Sequence, residues 1–274
     1  MSDPWLIGPV TTAAYGWRLE RRDGVTLAFT SHDRDVVVDG VVHLSSPGML
    51  PSSILESVGL ETDGLEVKGN LDASAIRAED LEAGRWDRAR LTIYLFDWTA
   101  PSVGKRILAG GELGEISYST RGFEAELRGL TALLDRPVVP QTSPGCRAIF
   151  CDADCGLSQS RFRYETKVQS VVVDRILFSS PLPSPANGFA YGNVRWLDGK
   201  NTGLMSDIAS SGANEIMLVR SAPFPVIPNT RVALIEGCDK TIATCSGRFT
   251  NALNFHGEPY LPGNDLLTRY PGAG

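Results

Sequence analysis

Leu91-Thr92-Ile93-Tyr94-Leu95-Phe96-Asp97-Trp98 decides how the first half of this chain folds. Leu91, Ile93, Leu95 and Asp97 alternate with Thr92, Tyr94, Phe96 and Trp98, and both sets carry large apolar side chains. Successive side chains on a strand point to opposite faces, so the stretch reads as a central strand covered on both sides. Its neighbours follow outward from it. Downstream, residues 107–119 and 123–127 read as an antiparallel pair turning near Thr120-Arg121-Gly122. Upstream, residues 17–44 alternate in the manner of strands, with Val25, Leu27 and Phe29 on one face. Val36-Val37-Val38 and Val41-Val42 flank Asp39-Gly40, a tight-hairpin signal, because the favoured two-residue turns need positive φ at their centre. Residues 59–69 read as one more short strand, with Asp63-Gly64 as a turn. Residues 72–81 then change period to helix formers, with a cap at Asp72 or Ser74 and a stop at Gly84. Residues 130–134 suggest one helical turn, closed by Pro137 and Pro140. The polar cluster Ser31-His32-Asp33-Arg34-Asp35 reads as a solvated loop between two strands, since no other ligand or nucleophile lies near it in sequence.

The 274 residues, 42% of them apolar, suffice for two ordinary domains. The Pro-rich stretch 137–144 divides them into 1–136, antiparallel β with one helix, and 137–274, a loop-rich β domain. The expected class is mainly β with minor α. A formal net charge of -6 and a pI near 5.2, with no basic run, argue against gripping a polyanion. No stretch approaches the roughly 18 apolar residues of a membrane span. The start, Met1-Ser2-Asp3-Pro4-Trp5, lacks the basic and apolar regions of a secretory signal. The expectation is synthesis in a reducing cytoplasm, where cysteine groups point to metal or redox chemistry more often than to disulfides.

All five cysteines lie in the second half: Cys146, Cys151 and Cys155, then Cys238 and Cys245. Strands are expected at 166–178, 194–197, 203–209 and 215–219, with a turn-rich hairpin at 197–203. The run 231–235 reads as a last strand that ends at Gly237 and Asp239 and delivers the second cysteine pair. Two loops with two thiols each suit a tetrahedral metal or an iron–sulfur cluster. Structural zinc favours pairs about two to four residues apart. Cys146–Cys155 and Cys238–Cys245 are wider, which suits a cluster whose thiolates bind different irons; Cys151–Cys155 keeps zinc open. Disulfides and unliganded buried thiols are the plainer readings. Arg147, Lys240 and Arg248 are placed to offset thiolate charge, and Gly145, Gly156, Gly237 and Gly247 to let backbone N–H groups approach sulfur. A Cys–His256 nucleophile pair lacks an orienting group or an oxyanion motif.

The stretch from Gly237 through Cys245, continued by Arg248-Phe249-Thr250-Asn251-Ala252-Leu253-Asn254-Phe255-His256-Gly257-Glu258-Pro259-Tyr260-Leu261-Pro262-Gly263, resembles the C-terminal motif of phage tail-tip hub proteins. The likeness is to hubs of gene transfer agents and related siphophages and, more distantly, to the tail-tip protein L of lambda-like phages. Cys146-Arg147-Ala148 and Asp154-Cys155-Gly156-Leu157 match the upstream half of that pattern. The resemblance implies a structural virion protein, not an enzyme, with a tail-tube-like β domain. It implies a homotrimeric ring that adapts a six-fold tube to a three-fold tip and leaves a passage for DNA without binding it specifically. Implied partners are a distal tail or tube protein, a central tail-tip or fibre protein, and a tail peptidase. The implied cofactor is a [4Fe–4S] cluster on Cys146, Cys155, Cys238 and Cys245, with zinc as the alternative and Cys151 as the spare thiol where relatives commonly carry glycine. The competing functions are an iron–sulfur or zinc-binding oxidoreductase subunit and a tail-associated cysteine peptidase.

Overall fold

The computed structural model describes residues 4–6, 11–45, 50–51, 64–69, 76–119, 122–129 and 139–260. The chain forms two compact units, Met1–Val138 and Val139–Gly274. The fold is mainly β, with two short α-helices among the described residues.

In the first unit the strands are β1 (Ala13–Glu20), β2 (Thr26–Thr30), β3 (Val36–Val38), β4 (Val41–His43), β5 (Leu50–Pro51) and β6 (Gly64–Gly69). They are followed by helix α1 (Ala78–Glu82), β7 (Arg90–Asp97), β8 (Lys105–Ser119) and β9 (Gly122–Arg128). Seven strands make one sheet in the order β2-β1-β7-β8-β9-β6-β5. As its two apolar faces foretell, β7 is interior to that sheet, paired antiparallel with β1 and β8. Leu91 and Ile93 enter a core with Trp17, Leu19, Phe29, Trp86 and Leu127. Tyr94 and Phe96 enter a second, smaller core with Ala14 and Val38. The β3–β4 hairpin turns at Asp39 and Gly40, both at positive φ (51° and 77°), as its dipeptide predicts. Its His43 is buried and bonds the Tyr94 hydroxyl. Residues 31–35 form the connection between β2 and β3, with His32 held by Asp33 and the Arg34 backbone.

The helix is shorter than its composition suggests. It begins after Arg77, which caps nothing with its side chain, and stops at Gly84 in the left-handed region (φ 70°). The caps foreseen at Asp72 or Ser74, and the helical turn at 130–134, lie outside the described residues.

The second unit opens with a short 3-10 helix, Gln159–Phe162. Its strands are β10 (Arg163–Val172), β11 (Arg175–Phe178), β12 (Asn193–Trp196), β13 (Met205–Ser211), β14 (Glu215–Leu218) and β15 (Arg231–Ile235). They close into a barrel, β10-β11-β14-β13-β12-β15, with every pair antiparallel. Irregularities at Val168/Ser170 in β10 and Ile208/Ser210 in β13 let those strands bend from one side of the barrel to the other. Alternate residues fill the interior: Val168, Ile176, Phe178, Val194, Trp196, Ile208, Ile216, Leu218, Val232 and Leu234. Trp196 brings its one polar atom with a partner, donating to Ser206 Oγ at 3.0 Å.

The expected loop-rich domain is therefore a closed barrel carrying loops. The strands are legible as short alternating runs, but closure depends on β15 pairing with both β10 and β12, far apart in sequence. The run 166–178 is two strands. Val173, at φ 56°, occupies a turn position that favours Gly or Asn, so the break carries no composition signal. Helix α2 (Ile242–Gly247) and a 3-10 turn, Ala252–Asn254, follow the barrel. Among the described residues, no helix is long and apolar enough to cross a membrane.

Candidate metal centre

The site grows from the end of β15. Here the backbone passes between barrel connections at close range. A Cβ on Gly237 would lie 2.0 Å from Ala190 O, and one on Gly192 2.0 Å from Ile235 O. Only glycine fits at either position, and this crossing sets where Cys238 emerges. The next turn is fastened locally. Asp239 Oδ1 accepts from the Thr241 amide (3.0 Å) and hydroxyl (2.9 Å), and Oδ2 accepts from Thr244 Oγ1 (2.8 Å). Thr241 caps α2 by accepting from the Thr244 amide at 3.2 Å. Cys245 sits buried on that helix. The reading of this segment as a loop missed α2, because six residues are too few to show a period.

The first cysteine loop is fastened locally through Asp152, which accepts from the Ile149 amide at 2.8 Å and the Cys155 amide at 2.7 Å. Further ties come from the distant segment. Cys146 N donates to Lys240 O and Arg147 N to His256 O, each at 2.8 Å. Lys240 Nζ donates to Ala148 O. Asn251 Nδ2 donates to Cys155 O at 2.7 Å. Beneath both loops, Phe150, Phe162 and Phe249 pack ring against ring with centroids 4.8–5.4 Å apart.

Cys146, Cys155, Cys238 and Cys245 line one pocket, together with Lys240 and Asn251 and an apolar wall that includes Phe150, Leu157 and Phe249. Cys151 is not part of that lining. It holds φ 65°, a conformation natural to glycine, and burial beside Cys155 pushes its thiol up to about 11. All five thiols are free of disulfides. Among the described residues, no three Cys, His, Asp or Glu side chains are arranged to hold a metal ion.

N–H groups converge on the sulfurs. His256 N donates to Cys146 Sγ at 3.4 Å, Asn251 Nδ2 lies 3.7 Å from Cys155 Sγ, and the Lys240 amide favours the Cys238 thiolate. Cys245 Sγ instead donates to Asn251 O at 3.3 Å. Burial pushes the Cys238 thiol up. Burial, then the neighbouring Cys238, Cys146 and Cys155 sulfurs, do the same to Cys245. Sulfurs this close resist ionising together unless a cation stands among them.

Two expectations about the surroundings are corrected. The donors to sulfur are not the flanking glycines: the Gly145 amide bonds Ser143 Oγ, Gly156 bonds Asp152 O and Gly237 bonds Gly188 O. Of the three basic residues foreseen beside the thiols, only Lys240 lines the pocket. Arg147 pairs with Glu258 and Arg248 with Glu236, two carboxylates that composition left unassigned. Arg248 also donates to Gly188 O (2.7 Å) and Gly237 O (3.2 Å), so it braces the crossing of β15. The imidazole of His256 lies 3.2 Å from Asp154 O, and it is the His256 backbone amide that meets Cys146 Sγ.

Two family models match the chain, and the first extends past Val138 to take in the first cysteine loop. Residues 4–158 match the family described as baseplate hub protein, N-terminal attachment domain. Residues 187–265, which contain the second cysteine loop, match a family described as phage conserved hypothetical protein BR0599. No curated protein sequence matches. A chain from the virion of a native gene transfer agent particle superposes with a TM-score of 0.88 at 33% identity, over 98% of this chain and 95% of that one. A hub-domain match over more than half the length and this likeness along nearly all of it lead to one assignment: the chain belongs to the baseplate hub proteins of phage-like tails.

Proposed function

We propose that this hub protein is a non-enzymatic ring subunit whose second unit is built around a [4Fe–4S] cluster held by Cys146, Cys155, Cys238 and Cys245. The observation that carries the cluster is the pocket on which these four thiols converge, from loops about ninety residues apart. The residues fit such a group on three counts. N–H donors stand against the anionic form of three of the sulfurs. Lys240 brings positive charge to the lining. The spacings Cys146–Cys155 and Cys238–Cys245, wider than the pairs usual for structural zinc, favour a polynuclear centre. When bound, the group would cross-link both loops to the end of the barrel, restricting the unfolded chain as a staple does. Cys151 remains the spare thiol.

The finer reading of the hub is a homotrimeric ring between a six-fold tube and a three-fold tip. It contacts a distal tail protein, a central tip or fibre protein and a tail peptidase. The net charge of -6 supports a passage that does not retain DNA, because a polyanion gains little from an acidic wall. The deciding experiment is anaerobic purification with iron, sulfide and zinc analysis and an absorption spectrum. Cys238→Ser and Cys245→Ser lose the brown chromophore, and Cys151→Ser keeps it. A wild-type chain with no iron or sulfide overturns the cluster. Native mass spectrometry tests the trimer, which a strictly monomeric chain at high concentration would overturn.

A further inference from the structure

We infer that Asn251 is the positioning residue of the thiol pocket: it joins the two cysteine loops and supplies the amide that faces the Cys155 sulfur. The inference rests on the cluster reading above. Asn251 is buried and lines the pocket. It touches both loops at once. Its side-chain Nδ2 donates to Cys155 O at 2.7 Å and lies 3.7 Å from Cys155 Sγ. Its backbone amide donates to Cys245 O at 2.9 Å, and its carbonyl accepts from Cys245 Sγ at 3.3 Å.

The amide is aimed. Asn251 Oδ1 accepts from Asn254 Nδ2 at 2.8 Å, which turns Nδ2 toward Cys155. Asn251 also occupies the N-cap position of the 3-10 turn Ala252–Asn254, yet its side chain makes no capping bond there. Asparagine is favoured at caps because its oxygen reaches the next amides. Here that use is forgone for a carbonyl and a sulfur 96 residues away. A neutral donor is what a thiolate ligand needs: it favours the anion and leaves the charge of the site unchanged. Hydrogen bonds to sulfur raise the reduction potential of an iron–sulfur centre, and outer partners of a ligand hold it in place.

The test compares the wild-type full chain with Asn251→Asp and Asn254→Ala, all purified anaerobically. Asn251→Asp keeps the shape, removes the donor and adds a charge beside Cys155. Its midpoint potential falls in an optical redox titration, and iron is lost to a ferrous chelator about 10-fold faster. Asn254→Ala, which releases the aim of the amide and trims the pocket lining, shifts both readouts in the same direction and less. If Asn251→Asp does not fold by circular dichroism, Asn254→Ala decides alone. Faster iron loss at an unchanged potential makes Asn251 a mere packing residue and overturns the inference, as do unchanged values for both. In those cases the wild-type chain still holds iron and the cluster reading stands. A wild-type chain without iron overturns both.

Discussion

The two cysteine loops reach the same pocket by different routes. The second is folded by its own sequence: Asp239, Thr241 and Thr244 bond one another within five residues, and Thr241 starts α2. The first, apart from Asp152, takes its shape from the second, through Lys240, and from the segment that follows it, through Asn251, His256 and Glu258. A locally determined segment thus serves as template for one that is not. The barrel supplies the fixed end, because β15 enters the second loop through the Gly192–Gly237 crossing.

Breaking the template therefore costs most. Gly237→Ala places a methyl 2.0 Å from a backbone carbonyl that cannot swing away. The expected loss is about 3 kcal/mol in denaturant unfolding, at the upper end of overpacking effects. Arg248→Ala leaves Glu236 and two carbonyls without their donor. It is expected to cost about 2 kcal/mol, less than the roughly 3–5 kcal/mol of a fully buried pair, because both side chains keep some solvent contact. Thr241→Ala removes the α2 cap and lowers stability by about 1 kcal/mol, measured the same way. An equal loss from Thr241→Ala and Gly237→Ala would mean that the second loop does not depend on the barrel crossing, contrary to the template view.

The smallest effect sharpens the contrast from the other side. Arg147 and the Ser143 amide hold the Glu258 carboxyl down at about 2, below its ordinary 4.5. A depressed carboxyl contributes stability that is complete above pH 4.5 and is lost as pH falls through about 2. Glu258→Gln should flatten the acid dependence in that window alone and loosen only the first loop, visible as faster amide exchange at Cys146 and Arg147. Exchange rising equally across α2 would mean the loops are not ordered as template and copy.

Much of the fold was legible because it is periodic or punctuated. Two apolar faces identify β7 as interior, and Asp39-Gly40 marks the β3–β4 hairpin. The barrel was not legible as a barrel. Strands of four or five residues such as β11, β12, β14 and β15 show alternation but say nothing of which partner closes the ring, and the β10–β11 turn hides behind Val173. Around the thiols, spacing left Cys151–Cys155 open beside Cys146–Cys155, and the family resemblance set Cys151 aside. Spacing did not show that Arg147 and Arg248 have carboxylate partners, Glu258 and Glu236, 111 and 12 residues away.

The sequence by itself determined what contacts between near neighbours can determine: the alternating strands, the tight turns, the cap of α2 and the supply of thiols. Tertiary structure decided which four of five thiols face one pocket, why Cys151 stays out, and which cation is left to face them. These outcomes depend on contacts spanning about ninety residues or more, as between Cys155 and Asn251. Such contacts exist only once the barrel has closed and brought both loops to its end.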